Sequence, residues 1–404
     1  MLHALALAAT SLALSAKQAS AIDRIVLRVM HDARVPGLSL GIARDGRVLY
    51  LRGYGRRDPA RALPADPYTI YRIGSLTKAF TATLVLGAAE RGELSLAQRA
   101  PDGRSVAELL AQIDGDAWRY DNANYLALGD LLASATHEPF ARLLDERIVA
   151  PLALVSTSAA LPRARNVAAA PLARPRDDPT RTGSAAGMSS NVPDLLRFLA
   201  ALDRGALISR DDLRAMTTTR TLADGRPTHY GYGFFVTDWY GWPVAEHPGY
   251  LDGFSALDAL GTDDGVALVI LTNADRVDLT PLAKSLFAIV ERPRDRTSVA
   301  RFGQAPENED PAATAALSAA LAQLAKGTIA RALVTDSYAR RLTPDALQRF
   351  AMRLAPLGPL RLAEFLARDG DVERYRLTFA RTQASARMTW RDGKIAGLVL
   401  EQSP

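Results

Sequence analysis

The stretch Ile73-Gly74-Ser75-Leu76-Thr77-Lys78-Ala79-Phe80 sets a Ser and a Lys three positions apart at the head of an apolar, helix-patterned run that continues to Ala89. Three positions is close to one helical turn, so the Ser75 hydroxyl and the Lys78 amine share a face. A free hydroxyl is a poor nucleophile until a neighbour takes its proton, and amides at a helix N-terminus stabilise developing negative charge. The pair can therefore combine a nucleophile, a base and an anion site. Taken alone, the tetrapeptide reads more readily as a capping Ser and a solvated Lys.

Lysine usage adds weight to the chemical reading. The chain holds 49 Lys and Arg together, yet only five are Lys, at positions 17, 78, 284, 326 and 394. Arg keeps its proton in proteins, whereas a buried Lys can release one, so a Lys retained at 78 fits a need for proton transfer.

With 404 residues, 48% hydrophobic and 23% charged, the chain has enough apolar material for two domains with cores of their own. The net charge of +5 is spread, with Arg interspersed among Asp and Glu, and no basic stripe is interleaved with aromatics. Nucleic acid is thus excluded as a partner. The absence of Cys excludes disulfides, thiol nucleophiles and Cys-ligated metals. Residues 2–16 form an Ala/Leu run ahead of the small-residue site Ala19-Ser20-Ala21. Residues 1–21 read as a cleaved export signal, which predicts an exported, periplasmic or secreted protein. A plain N-terminal helix is the alternative, because the run has no Lys or Arg before it. No other stretch approaches a membrane span.

Periodicity predicts a helix over 22–31, then strands over 38–43 and 48–54 joined by Asp45-Gly46, a strong hairpin signal. Helices follow over 106–113 and 123–135, with Asp and Asn around 121–124 capping the second. Residues 160–185 read as a long surface loop, and Ser190-Asn191-Val192-Pro193-Asp194 opens a capped helix. Strands are predicted over 230–236, 254–260 and 266–272, and a helix over 279–290. Residues 291–311 read as a linker. A small domain over 312–404 then combines helices near 312–325 and 344–355 with four strands, and carries no reactive cluster.

Tyr120-Asp121-Asn122 is the one Tyr-x-Asn in the chain. A phenol serves as a base only where a neighbouring cation favours phenolate, which a Lys can do, and the Asn can hold that Lys or a substrate amide. Alone, these residues read as a packed aromatic and a helix cap. His-x-Gly occurs twice, as His229-Tyr230-Gly231 and His247-Pro248-Gly249, and local chemistry does not choose between them. A Gly there lets a substrate approach a strand edge, where the next amide can donate to an oxyanion.

Ser-x-x-Lys heading a buried helix, Tyr-x-Asn before another helix, and a cation-x-Gly on a late strand, in this order, resemble the serine β-lactamase and penicillin-binding-protein superfamily. The Tyr form of the second motif resembles its class C branch, which includes D-alanyl-D-alanine carboxypeptidases and esterases. Further similarity lies in Val35-Pro36-Gly37-Leu38-Ser39, Gly53-Tyr54-Gly55, Ala186-Gly187-Met188-Ser189-Ser190 with Asp194-Leu195, and Tyr230-Gly231-Tyr232-Gly233-Phe234. The likeness covers residues 22–290. It implies an α+β fold, an antiparallel sheet flanked by helices with an all-helical subdomain. The small α+β domain after it is loosely similar to cystatin-like or NTF2-like accessory folds.

Carried over by position, the resemblance makes Ser75 the acylated nucleophile, Lys78 its proton acceptor and Tyr120 a base for acylation or deacylation. Asn122 orients substrate and Lys78, His247 with Gly249 takes the third-motif place, and the amides of Ser75 and Tyr250 form the oxyanion hole. No metal or organic cofactor is implied. Two departures matter. Pro248 offers no hydroxyl and a neutral His no fixed charge, which weakens recognition of an anionic substrate. The His-Thr-Ser-Gly loop of many relatives is replaced by Leu110-Ala111-Gln112-Ile113-Asp114-Gly115, which predicts a more open rim.

The expectation is a serine hydrolase acting through an acyl-enzyme on a small ester, amide or short peptide. Esterase action leads, with D-alanyl-D-alanine carboxypeptidase, D-aminopeptidase or weak β-lactamase action next. A non-catalytic binding or regulatory protein on the same fold is the rival of another class.

Overall fold

The Asp45-Gly46 turn sets the first strand pair. Both residues have positive φ, 49° and 78°, the type I′ geometry that joins β1 (Gly37–Arg44) to β2 (Arg47–Asp58). The computed structural model describes residues 14–161, 166–169, 179–291, 310–369, 371–380 and 383–402. Packing divides the chain into two compact units, Met1–Asp295 and Arg296–Pro404.

In the first unit, β1 and β2 join β3 (Leu63–Pro64), β4 (Phe235–Trp239), β5 (Trp242–Leu251), β6 (Phe254–Gly261) and β7 (Val266–Thr272) in one antiparallel sheet. Its order is β3-β2-β1-β7-β6-β5-β4, so the early hairpin and the late strands meet where Leu38 lies opposite Thr272. Both faces are covered, and β6 and β7 are buried throughout their length. On one face α1 (Ala16–Asp32) and α5 (Thr280–Val290) bury Ile22, Val26, Leu282 and Phe287 against Leu40, Leu268 and Ile270. On the other, α2 (Thr77–Glu90) and α4 (Val192–Asp203) pack Phe80 on Phe198, ring to ring at 3.7 Å. The helical region that includes α3 (Asn122–Thr136) stands beyond them. This is the expected α+β architecture.

Five elements depart from expectation. The first helix begins at Ala16 rather than residue 22, because Ser15 and Gln18 close a capping box. Gln18 Nε2 also donates to the Ile289 carbonyl at 2.8 Å, so Ala19-Ser20-Ala21 is helix in this fold. Residues 1–13, most of the anticipated export signal, lie outside the described residues. The helix predicted over 106–113 stops at Leu110, since Gln112 has φ 59° and Ile113 enters a short hairpin with Trp118.

The third departure is β5, which lies between the predicted strands 230–236 and 254–260 and runs unbroken through His247-Pro248-Gly249. β4 pairs with β5 only as far as Glu246, so the outer edge at Pro248 needs no N–H from it. The strand expected over 230–236 is displaced to Phe235–Trp239. Of the loop expected over 160–185, residues 162–165 and 170–178 lie outside the described residues, and 179–186 are helical.

The second unit lays α6 (Pro311–Leu324) and α7 (Pro344–Leu354) with a four-stranded antiparallel sheet, β8 (Leu360–Asp369), β9 (Val372–Phe379), β10 (Gln383–Arg391) and β11 (Lys394–Gln402), in sequential order. Ala313, Leu317, Ala320, Leu321 and Leu324 form one helical stripe over Tyr375, Leu377, Met388 and Ile395. Of the expected linker, residues 292–309 lie outside the described residues. No helix among the described residues is long and apolar enough to cross a membrane.

Candidate active site

Ser75 sits on a single 3₁₀ turn, Gly74–Leu76, that feeds directly into α2. The turn is possible because Gly74 has φ 54°, and because the strand opposite comes very close. A Cβ on Gly74 would lie 2.9 Å from both the amide nitrogen and the carbonyl oxygen of Tyr250. Gly249 does the same work from the strand's side: its missing Cβ would stand 2.2 Å from the Ile73 carbonyl. This glycine is therefore required for β5 to meet the serine's turn, a reason different from the substrate approach anticipated from sequence. Thr77 Oγ1 donates to the Gly74 carbonyl at 2.7 Å, and the Ile73 amide donates to Met188, so the turn is held from both ends.

Lys78 lies in the first turn of α2 and is fully buried. Its Nζ reaches Ser75 Oγ at 3.2 Å, Asn122 Oδ1 at 2.6 Å and the Ala185 carbonyl at 3.0 Å. Two of these partners only accept, while the hydroxyl can reverse and donate. A neutral amine thus stays fully satisfied: its two N–H bonds go to Asn122 and Ala185, and its lone pair faces the serine. Burial lowers the Lys78 pKa to about 7, with the Asp121 carboxylate opposing that shift.

Asn122 reaches Lys78 because α3 starts there, capped by Asp121, whose side chain accepts from the Ala123 amide at 2.8 Å. Tyr120 lies just before the cap, with its ring centroid 4.7 Å from Lys78 Nζ. Burial raises the Tyr120 phenol pKa, with the Ser75 hydroxyl acting against the rise. The phenol therefore keeps its proton, and the phenolate expected from a neighbouring lysine is not favoured.

Of the two His-x-Gly copies, the fold brings His247 to the site and leaves His229 exposed on a loop with φ 55°. The His247 ring centroid is 5.8 Å from that of Tyr120. Its Nδ1 lies 2.7 Å from the Pro248 carbonyl, which can only accept, so Nδ1 carries the proton and Nε2 accepts from the Tyr230 hydroxyl at 3.3 Å. Burial first, and Lys78 second, lower the His247 pKa to about 3. His247 is a neutral ring with both nitrogens occupied inside the protein. Asp258, fully buried on β6 directly opposite His247, has its pKa raised far above the ordinary carboxylate range by burial.

Two features were not singled out from sequence. Gln112 is fully buried, and its Oε1 accepts from the Asp121 amide at 3.0 Å and from Asn124 Nδ2 at 2.6 Å, bracketing Asn122. A lone Gln before an Asp-Gly turn carries no sequence signal of that role. The second is an aromatic wall. Phe235 stacks on Tyr120 with centroids 5.9 Å apart, and Trp118 stands 5.9 Å from Tyr230 and 6.1 Å from Phe235. Their spacing over more than a hundred residues hides the cluster. Among the described residues no group of His, Asp and Glu side chains gathers as a metal site.

Chemically, the assembly offers a nucleophile beside a neutral amine, a protonated phenol across from it, and strand amides in front. A family model described as Beta-lactamase matches residues 22–110 and 104–289. A beta-lactamase of Providencia stuartii is 25% identical over 297 residues, 60% of this chain and 74% of its own length. Protein flp of Staphylococcus aureus (strain N315) is 25% identical over 186 residues, 37% of its own length.

Among solved structures, the octameric penicillin-binding protein homologue from Pyrococcus abyssi superposes with a TM-score of 0.62 at 19% identity, covering 93% of this chain and 94% of that one. The D-amino acid amidase from Ochrobactrum anthropi SV3, complexed with L-phenylalanine amide, gives 0.60 at 19% identity over 68% of this chain and 99% of its own. Both likenesses are of fold.

Proposed function

The chain belongs to the beta-lactamase family, a family of serine hydrolases, and from that premise we propose that it cleaves uncharged esters through an acyl-enzyme on Ser75. The observation that carries the reading is the contact of Lys78 Nζ with Ser75 Oγ by an amine whose pKa is lowered to about 7. At neutral pH a large fraction of that amine is free to take the serine proton.

Ser75 Oγ attacks the substrate carbonyl and its proton passes to Lys78 Nζ. The oxyanion is taken by the Ser75 and Tyr250 amides, a reading supported by the close approach of the Gly74 turn to Tyr250. Tyr120 gives its proton to the leaving oxygen or nitrogen and recovers one from Lys78. Water then attacks the acyl group, its proton returns through Lys78 to Ser75 Oγ, and the acid departs.

Esters are favoured over anionic β-lactams or D-alanine carboxylates because His247 is neutral where a fixed cation would hold a carboxylate. A second reading, cleavage of D-amino acid amides, draws on the retained Tyr120 proton, since an amine leaving group must be protonated to depart. The fold likeness to the Ochrobactrum amidase is consistent with it.

The test is hydrolysis of a short nitrophenyl ester, an aromatic D-amino acid amide and a chromogenic cephalosporin by wild type and Ser75→Ala. The ester should turn over fastest, and all activity should vanish with Ser75. A fluorophosphonate should leave one adduct on the peptide holding Ser75, and its absence from folded protein would favour a non-catalytic role.

A further inference from the structure

Phe235 is the ring that ties the aromatic wall to the Ser75 centre. It opens β4, and the backbone fixes its place: Tyr230 bridges to it across a turn in which the Gly231 amide donates to the Phe234 carbonyl and the Val236 amide to the His229 carbonyl, both at 2.9 Å. From there its ring meets four others. It stacks on Tyr120 at 5.9 Å and 15°, meets Tyr230 edge-on at 5.0 Å, lies tilted at 5.2 Å from His247, and takes Trp118 edge-on at 6.1 Å. All four separations fall in the range that aromatic pairs favour.

These neighbours differ in what else holds them. Tyr230 and His247 are fully buried and joined by their hydrogen bond at 3.3 Å, and His247 is tied to Pro248 as well. Trp118 belongs to a hairpin opposite Ile113. Tyr120 is partly exposed and stands ahead of the Asp121 cap, outside α3. Its hydroxyl lies at the end of a long lever: a swing of about 10° in χ1 carries the oxygen roughly 1 Å and stays within one rotamer well. A misplacement of about 1 Å costs about 10²-fold in rate. Rotamer preference alone therefore leaves this phenol loose, and the parallel face of Phe235 blocks its movement to that side.

In the hydrolase reading Tyr120 gives the leaving atom its proton, so its placement decides which groups depart. We infer that Phe235 is a positioning residue for that acid, holding the Tyr120 ring toward Ser75 so that esters of ordinary alcohols, and amides, are cleaved as well as activated aryl esters. The inference rests on the Ser75 hydrolase reading and names the substrates that depend on it. An acidic phenol leaves as its anion, whereas an alcohol or amine must be protonated as its bond to the acyl carbon breaks.

The experiment measures kcat/KM, which reports acylation, for the acetate esters of nitrophenol, phenol and ethanol in wild type, Phe235→Leu, Phe235→Tyr and Tyr120→Phe. Phe235→Leu should lose about 10- to 100-fold more on the ethyl ester than on the nitrophenyl ester, with phenyl acetate between them. Phe235→Tyr keeps the stacked ring and should restore the wild-type order of the three esters. Phe235→Met takes the place of the Leu variant if that one does not fold. A loss of equal size on all three esters, or no loss, overturns the inference, because a merely structural defect does not sort leaving groups. Tyr120→Phe separates the failures. If it sorts the esters and Phe235→Leu does not, only the positioning role falls; if it too loses evenly, Tyr120 is not the acid and the inference falls with that role. Wild type that cleaves none of the esters and takes no fluorophosphonate at Ser75 removes the hydrolase reading itself.

Discussion

Asn124 and Gln112 are joined by a 2.6 Å hydrogen bond from Asn124 Nδ2 to Gln112 Oε1, inside a fully buried contact. The same oxygen accepts from the Asp121 amide, so one carbonyl fixes the residues on both sides of Asn122, the lysine's partner. Gln112→Ala would leave the buried Asn124 donor without an acceptor, at about 1–3 kcal/mol, and would release the Asp121 amide, which water can reach. It should also lower kcat/KM about 10- to 100-fold, since small displacements of a positioning group cost that much. Gln112→Asn tolerates the same positive φ but is one methylene shorter, and separates strain from reach. Folded Gln112→Asn with wild-type kcat/KM would show that the clamp does not act on Asn122.

The pH profile follows from Lys78. Its pKa is lowered to about 7 by burial, so the base form grows as pH rises through that value. Ester kcat/KM should therefore climb from pH 5 and level off above about pH 8. His247, lowered to about 3, is neutral throughout and adds no limb in that window. Lys78→Arg should abolish the limb and reduce activity by about 10²- to 10⁴-fold, because Arg cannot act as a base. A limb near 7 that persists in Lys78→Arg would assign it to another group.

The motifs made the serine's neighbourhood legible because each is local: Ser75 to Lys78, Tyr120 to Asn122, and His247 to Gly249. Helix and hairpin signals were equally local, as at Asp45-Gly46 and at the Asn191 cap with Pro193 behind it. What stayed hidden depends on long-range contact. β5 lies outside the predicted strands because Pro248 argues against a strand, and the unpaired outer edge that tolerates it there is set by the neighbouring strand's length. The phenolate expected at Tyr120 took account of Lys78 but not of burial, which dominates. Gln112 clamps the Tyr-x-Asn turn only because its own backbone turns left-handed and points its amide inward.

The contribution of Glu246 to stability should fall as pH rises. Glu246 on β5 is nearly fully buried, and burial raises its pKa to about 7, with Lys284 opposing. A carboxyl whose folded pKa lies above its unfolded value contributes fully below the unfolded pKa, near 4.5. That contribution is lost as pH climbs through about 7. Urea unfolding at pH 5 and pH 8 should show wild type losing about 2 kcal/mol more than Glu246→Gln between the two conditions. Asp258 shifts the same way and is itself raised in part by Glu246, so Glu246→Gln relieves some of its shift as well and the difference reports the pair. Equal losses would mean that Glu246 is ionised in the fold already at pH 5.

Gly74→Ala tests the oxyanion arrangement with the smallest possible change. The added methyl carbon would stand 2.9 Å from Tyr250 N and O, and the position has φ 54°, which a residue with a Cβ rarely adopts. Neither obstacle can be relieved by a side-chain rotation, because the neighbour is backbone on β5. The turn and the strand must move apart, and with them the Ser75 and Tyr250 amides. Losing one donor to an oxyanion costs about 10²- to 10³-fold in kcat, so a drop of that size is expected with KM changed far less. The Lys78 contact lies on the other side of Ser75, so the acid limb near pH 7 should remain. Gly249→Ala meets the Ile73 carbonyl at 2.2 Å and should be worse, reaching into stability as well as rate. If folded Gly74→Ala keeps kcat within twofold of wild type, the charge on the intermediate is held somewhere other than between this turn and this strand.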